Sequence, residues 1–393
     1  MKDAILTINA GSSSIKFAVF EGDAGLARIA AGEIEKIGTA PHFYVRNMQG
    51  DLVKEQSWPH GEVLTHEALL APLLDWVEHH LGDAELIAAG HRIVHGGAAF
   101  SAPVRLDDTT LRALAKLNPL APLHEPHNLA AVQAVLKLRP KLPQIGCFDT
   151  AFHHTIAPLE TRFALPRHFH DEGVRRYGFH GLSYAYIAQH LHDLAPALAQ
   201  GRVIAAHLGN GASVCAMLDG KSVDSSMGFT ALDGLMMGTR CGSIDAGAVL
   251  YMMQANDLNT AQMTELLYNK SGLRGVSGLT ADMRDLLNNE SPEATEAVAL
   301  FALFAARHVC SLMASLGGLD GLVFTAGIGE HTPAVRSLIC ARLGALGVVL
   351  DEAANAVNAP VISAAASRVE VRVIHTDEEA MIARQCQDTI AAG

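Results

Sequence analysis

The stretch from Ile5 to Phe20, ILTINAGSSSIKFAVF, places one apolar strand before a short polar tip and a second strand after it. The tip offers Asn9, Gly11, Ser12, Ser13 and Ser14, with Lys16 just beyond. Glycine lets a backbone approach a ligand closely, and amides and hydroxyls can cradle phosphate oxygens. A strand rather than a helix follows, so this is not a Walker A loop. Taken alone, it reads equally as an ordinary β-hairpin with a polar tip. Near residue 203 the plan returns as VIAAHLGNGASVCAML. Asn9 with Ser12 and Asn210 with Ser213 share one spacing. Asn-Gly is a hairpin-turn signal in its own right, so the pairing carries the inference. Two such hairpins about 200 residues apart predict a duplicated domain, with the two tips gripping a polyphosphate across a cleft.

A chain of 393 residues has room for two cores. With 49% hydrophobic and 18% charged residues it is globular rather than disordered. A net charge of −12 without a basic stripe argues against nucleic acid as partner. The opening MKDAILTINA starts a strand at once and lacks a signal-peptide core, and the apolar run 297–306 is too short for a bilayer. Six cysteines are scattered without a CxxC pair and read as reduced, buried thiols. The expectation is a cytoplasmic protein with no membrane contact.

Strands are expected at 32–35 and 42–45, and a helix over 62–81 from Val63, Leu69, Leu70, Leu73, Leu74, Trp76, Val77 and Leu81. In ELIAAGHRIVHGG a strand ends at Arg92 and His95. Ligands bind beyond the carboxyl ends of strands in open α/β sheets, and a guanidinium fork grips two oxygens at once. A surface arginine in a loop is the alternative. Three prolines in NPLAPLHEPH predict a stiff, non-helical loop that fixes His124, with a helix from Asn128 to Arg139. Pro126 argues against reading His124-Glu125-Pro126-His127 as a metal motif, which needs a helix. In PQIGCFDTAFHH a strand ends at Phe148, and Asp149 is either a Mg²⁺ carboxylate or a turn-forming aspartate.

In RRYGFHG, glycines on either side free the backbone to present His180, unless it is a core histidine. A helix follows over 183–200. The glycine-rich run 224–247 is long for a loop inside a compact domain and carries Arg240. Helices are expected at 245–254, 261–270 and 292–316. In DGLVFTAGIGEH a strand ends in Gly327-Ile328-Gly329-Glu330, bare backbone suited to a flat ring. The chain closes with a strand to His375, Thr376 as helix cap, and Asp377, Glu378 and Glu379 in the first turn.

Together, NAGSSSIK, HRIVHGG, PLAPLH, FDTAFH, RRYGFHG, HLGNGAS, SMGFT, LDGLMMGTR, FTAGIGE and TDEE span the chain in an order that resembles the acetate kinase family. The resemblance implies an α/β fold of two domains, each with a ribonuclease-H-like, actin-like ATPase core. It places the first domain at 1–149 plus 379–393, the second at 150–378, and the active site in the cleft between them. It implies ATP and acetate as substrates, Mg²⁺ or Mn²⁺ as cofactor, and a homodimer through the second domain, with Met236, Met237 and the helices near 250 and 300 as candidates.

Position by position, the resemblance assigns Asn9, Ser12, Ser14 and Lys16 to the first phosphate loop. It assigns Asn210 and Gly211 to the second, with His207 as a nearby active-site histidine and His207, Leu208 and Gly209 among the nucleotide-binding residues. Arg92 and Arg240 would grip the acyl and phosphoryl groups, His180 would hydrogen-bond the phosphoryl group, and His124 would lie nearby. Asn9, Asp149 and Glu378 fall in the metal region. Asp282, Met283, Arg284 and the strip Gly327, Ile328, Gly329, Glu330 and His331 fall in the adenosine pocket. Val94, Leu123, Phe179 and Ala231 would line the acyl pocket.

The chemistry agrees with these residue types. A carboxylic acid with a pKa near ~4 is ionised at neutral pH and needs no general base. The site should therefore be rich in positive groups. The chain departs from the family at Glu125, His331 and Ala231, where the family commonly has Asn, Asn and Pro. Ala231 enlarges the expected acyl pocket and keeps propionate or another short-chain acid as an alternative substrate. A sugar kinase would need a carboxylate base, and an actin- or Hsp70-like nucleotide switch would leave the two arginines without a task.

Overall fold

The computed structural model describes residues 2–22, 25–62, 64–122 and 124–392. The chain forms two compact units, Met1–Phe152 with Asp377–Gly393, and His153–Thr376. Val63 and Leu123 lie outside the described residues.

The first unit carries β1 (Lys2–Ala10), β2 (Ile15–Glu21), β3 (Arg28–Glu35), β4 (His42–Asn47), β5 (Leu52–Ser57), β6 (Ala84–Ile93), β7 (Val104–Arg105) and β8 (Gln144–Phe148). They form one sheet in the order β5-β4-β3-β2-β1-β6-β8-β7. The second unit carries β9 (Arg202–Leu208), β10 (Ala212–Leu218), β11 (Lys221–Ser225), β12 (Gly321–Thr325) and β13 (Glu370–Val373), in the order β11-β10-β9-β12-β13.

The two sheets share a five-strand plan. In β3-β2-β1-β6-β8 the first three strands are antiparallel, and β1, β6 and β8 are parallel. The sheet β11-β10-β9-β12-β13 repeats it, with β9, β12 and β13 parallel. This is a ribonuclease-H-like core built twice. Its parallel strands are covered on both faces, which is why β8 and β12 are mostly apolar and buried at every residue, Gln144 and Thr325 included.

In the first unit, the helices His66–His80 and Glu125–Leu138 bury Leu69, Leu70, Leu73, Leu74, Val77, Ala131, Ala134 and Val135 among Leu6, Ile8, Phe17 and Val19 of the sheet. The helix Glu378–Ala391 packs on β1, β6 and β8. A Cβ at Gly90 would stand 2.6 Å from Ile382 Cγ2, so only glycine lets this helix sit so close to β6.

In the second unit, the helix Pro292–Leu316 has Ser291 as its cap, with Ala294 N–H donating to Ser291 Oγ, and ends at Gly317 with φ +69°. Among the described residues it is the one helix long and apolar enough to cross a membrane. Its stripe Ala294, Ala297, Val298, Phe301, Ala302, Ala305, Val309, Leu312 is buried within the unit, as in a core helix.

Several local expectations change. The helix expected from Asn128 begins at Glu125, because Pro126 falls in the first turn, where the missing N–H costs nothing. The terminal helix is capped by Asp377, whose carboxylate accepts from Ala380 N–H, and not by Thr376. The glycines after β12 belong to a short helix, Ala326–His331, rather than to a strand end. The helix over 183–200 is two, Gly181–Leu194 and Pro196–Ala199, separated at the proline. Cys310 is exposed and Cys241 half-buried, whereas the other four cysteines are buried. Met236 and Met237 are buried too, so neither is available to a partner subunit.

Candidate active site

In the first unit the parallel strands deliver three groups to one edge. Asn9 stands near the end of β1, Arg92 near the end of β6, and Asp149 directly after β8. Asp149 is anchored by its N–H to the Ile93 carbonyl at 3.0 Å. Arg92 Nη2 donates to Asp149 Oδ2 at 2.5 Å, and Arg92 Nε donates to both carboxylate oxygens at 3.1 and 3.2 Å. Arg92 Nη1 donates to Asn9 Oδ1 at 3.1 Å. Burial disfavours the charge on Arg92, but Asp149, then Glu378 and Glu379, outweigh it and raise its pKa. Burial pushes the Glu378 carboxyl upward, with Arg92 and Lys16 opposing and Asp149 adding to the rise. Arg92, Asn9, Asp149 and Glu378 thus form one electrostatic cluster.

The first hairpin tip lies beside it. Gly11 N–H donates to the Ser14 carbonyl at 2.8 Å, Ser12 is exposed, and exposed Lys16 pairs across the strands with Asn9. The helix Glu125–Leu138 pins the strand after Arg92. Val94 N–H donates to Asn128 Oδ1 at 3.0 Å, and Asn128 Nδ2 donates to the Ala10 carbonyl at 2.6 Å. Glu125 Oε2 accepts from His95 N–H at 3.1 Å, and burial pushes its carboxyl up to about 8. His124 occupies the cap position of this helix without a side-chain cap bond, and Val94 is buried.

In the second unit His180 caps the helix Gly181–Leu194 in a left-handed conformation, φ +59°. Its Nδ1 lies 2.8 Å from Ser213 Oγ, and its ring stacks on His207 at 4.2 Å. Buried His207 pairs with Ser213 across β9 and β10 and holds Ser183 Oγ at 2.8 Å through Nδ1. A Cβ on Gly211 would stand 3.3 Å from His180 Nε2 and 3.9 Å from Arg240 Nη1. The second tip thus has His180 and Arg240 as neighbours. Arg240 Nη1 donates to the Ala231 carbonyl at 2.9 Å, which sets the guanidinium against the position expected to line the acyl pocket. Phe179 is buried and Ala231 half-buried.

A cleft of about 790 Å³ opens next to this tip. Gly209, Asn210, Asp282, Met283, Arg284, Gly327, Ile328 and His331 line it, together with Thr280, Ala281 and Thr332, which sequence reasoning missed. Asp282 caps a short helix and pairs with Arg284 at 2.7 Å. Leu208, Gly329 and Glu330 are not on the lining. Leu208 is wholly buried, and Gly329 packs near Leu208 Cβ. Glu330 turns inward and accepts from Ala326 N–H at 2.7 Å and Thr376 N–H at 3.1 Å, with His375 Nδ1 at 2.6 Å. Burial alone would raise its pKa, but these bonds outweigh it and lower it. Ala326 itself is left-handed, φ +64°, so Glu330 braces the cleft floor.

The comparisons with known proteins agree across the chain. Residues 4–384 match the model of the acetokinase family. An acetate kinase of Rhodopseudomonas palustris is 50% identical over 390 residues, covering 98% of both chains. One of Methylocella silvestris is 50% identical over 392 residues, covering 98% of this chain and 97% of its own. Among solved structures, Porphyromonas gingivalis acetate kinase aligns with a TM-score of 0.88 and 36% identity, over 99% of this chain and all of its own. A propionate kinase from Francisella tularensis aligns at 0.90 with 34% identity, over 98% of each chain. The chain belongs to the acetokinase family and is a phosphotransferase whose acceptor is a carboxyl group.

Proposed function

We propose that the enzyme catalyses the reversible, direct, in-line transfer of the γ-phosphoryl group of ATP to acetate, giving acetyl phosphate and ADP. The observation that carries this reading is the state of Asp149. Three hydrogen bonds from Arg92 hold it, so it is poorly placed to act as a base toward a hydroxyl acceptor. A carboxylate acceptor needs no base. What it needs is positive charge and fixed donors around a transition state rich in negative oxygen. Arg92 and Arg240 supply guanidiniums, His180 a hydrogen bond to the phosphoryl oxygen, and the two hairpin tips N–H groups and Lys16. The cleft at 209–210, 280–284, 327–328 and 331–332 receives the adenosine.

Asn9, Asp149 and Glu378 offer only oxygen donors, the kind a hard cation such as Mg²⁺ or Mn²⁺ takes. The upward push on the Glu378 carboxyl is what a bound cation would relieve. Such a cation supplies charge neutralisation for the phosphates.

We further place the enzyme in a reducing cytoplasm, since all six cysteines are unpaired. It pairs as a homodimer through the second unit. The helix Ala246–Ala255 buries none of its residues and leaves Leu250 and Tyr251 61% and 69% exposed.

The test is trapping with hydroxylamine. ATP, acetate and the enzyme should yield acetyl hydroxamate in step with ADP. ADP without acyl product, or phosphorylation of glycerol or glucose instead, would refute the assignment.

A further inference from the structure

We infer that His153 is a positioning residue for His180, an inference that rests on the phosphoryl-transfer reading above. His153 begins the second unit and is 3% exposed. Its Nε2 lies 2.9 Å from the Phe179 carbonyl and its Nδ1 2.9 Å from Ser222 Oγ. A carbonyl can only accept, so Nε2 carries the hydrogen and Nδ1 accepts from the serine hydroxyl. Thr155 Oγ1 donates to the Ser222 carbonyl at 2.6 Å, tying the same turn to β11.

This fixed ring meets the segment around His180 at three points, two in the loop before it and one in the helix after it. It holds the carbonyl of the residue immediately before His180. It lies against Gly178, φ +79°, where a Cβ would stand 2.6 Å from the ring. It also meets Tyr184 edge-on at 5.7 Å. Tyr184 Oη in turn lies 2.5 Å from Ser213 Oγ, the same oxygen that holds His180 Nδ1.

Left-handed backbone at a histidine persists only where the surroundings over-determine it. Here the surroundings are His153 from behind and the Tyr184–Ser213 pair from the side. His153 touches no reacting atom, and its effect must pass through His180.

A double-mutant cycle reads this. His153→Leu, His153→Gln and Ser222→Ala are compared in the native and His180→Ala backgrounds, by acetyl hydroxamate formation. A small misplacement of a reacting group costs up to about 100-fold, so His153→Leu should lower kcat by roughly 10- to 100-fold, with KM for ATP little changed. His153→Gln keeps a donor for the Phe179 carbonyl and should recover most of the loss. In the His180→Ala background the same changes should cost less than about two-fold, because coupled residues are non-additive.

Losses that multiply undiminished in that background, or full kcat in His153→Leu, overturn the inference. If His153→Leu does not fold, Ser222→Ala, which frees the ring from its hydroxyl partner, carries the cycle with His153→Gln as its near-native control. A native enzyme that makes no acyl phosphate refutes the reaction instead. The position is then read from the imidazole resonances of His180, which must shift between native and His153→Leu protein, or Ser222→Ala protein where His153→Leu does not fold. Unshifted resonances overturn it.

Discussion

Where β6 and β8 end in the first unit stand Arg92 and Asp149, an ion pair at 2.5 Å with Glu378 close by. Where β12 ends in the second unit stand Ala326 and Gly327, and Gly209, Gly327 and Ile328 line the cleft beside them. The strand order is the same, but the chemistry at the strand ends is not. The first unit gathers charge and compensates it internally. The second supplies a stacked histidine pair, serine hydroxyls and a single guanidinium, Arg240, held by a backbone carbonyl rather than by a carboxylate. Buried charges stand or fall together, because removing one leaves its partner desolvated and unpaired. Neutral donors and backbone surfaces are perturbed chiefly by shape.

The largest break in this comparison should come from Arg92→Ala. Loss of a donor aimed at the transition state lowers turnover on the order of 10²–10³-fold. Breaking a buried pair destabilises by about 3–5 kcal/mol, readable in urea unfolding. Unchanged stability would mean that Asp149 is not compensated by Arg92.

The next effect also belongs to the first unit. Glu125 is held protonated by burial up to about 8, whereas an unfolded chain releases that proton near ~4.3. The native state therefore binds more protons than the unfolded state between those values, and stability falls as pH rises through that window. The loss is roughly 4 kcal/mol by pH 8. Glu125→Gln should flatten the profile of unfolding free energy against pH, and an equally steep profile in the variant would refute the cause.

In the second unit, shape dominates. Gly178→Ala forces a side chain onto φ +79° and into the His153 ring, and should cost about 2 kcal/mol in thermal unfolding. The acyl pocket is a gentler test. One methylene is worth only ~1–3 kcal/mol of discrimination, so with Ala231 at the pocket, propionate should approach acetate in kcat/KM. A thousandfold preference for acetate would exclude an enlarged pocket. The smallest effect is Ala326→Gly, which relieves a left-handed alanine at φ +64° and should stabilise by about 0.5 kcal/mol.

The sequence made the duplicated hairpins legible because strand–tip–strand patterning is local. It misled about their equivalence. Asn9 and Asn210 share a spacing to the next serine, yet Asn9 lies inside β1 opposite Lys16, whereas Asn210 sits at the turn and Ser213 inside β10. Spacing counts residues and does not register where a strand stops. Pro126 by residue type predicts a break, but it sits in the first turn of a helix, and position within a helix decides what proline does. Glu330 looked like part of the nucleotide strip, but its carboxylate is spent on Ala326 and Thr376, and nothing local announces a partner 46 residues away. His153 has no sequence signal of its own within FDTAFHH. What marks it appears only in the fold, where both of its ring nitrogens have partners.

The division of labour between the units can be tested on Arg92→Ala by calorimetric titration with ADP alongside hydroxamate formation. The account predicts an ADP dissociation constant within about two-fold of the native value, since a group serving the transition state alone lowers turnover and spares binding. Acetyl hydroxamate formation should fall at least about 100-fold in the same preparation. Nucleotide affinity that collapses in step with turnover, or turnover that survives, would contradict it.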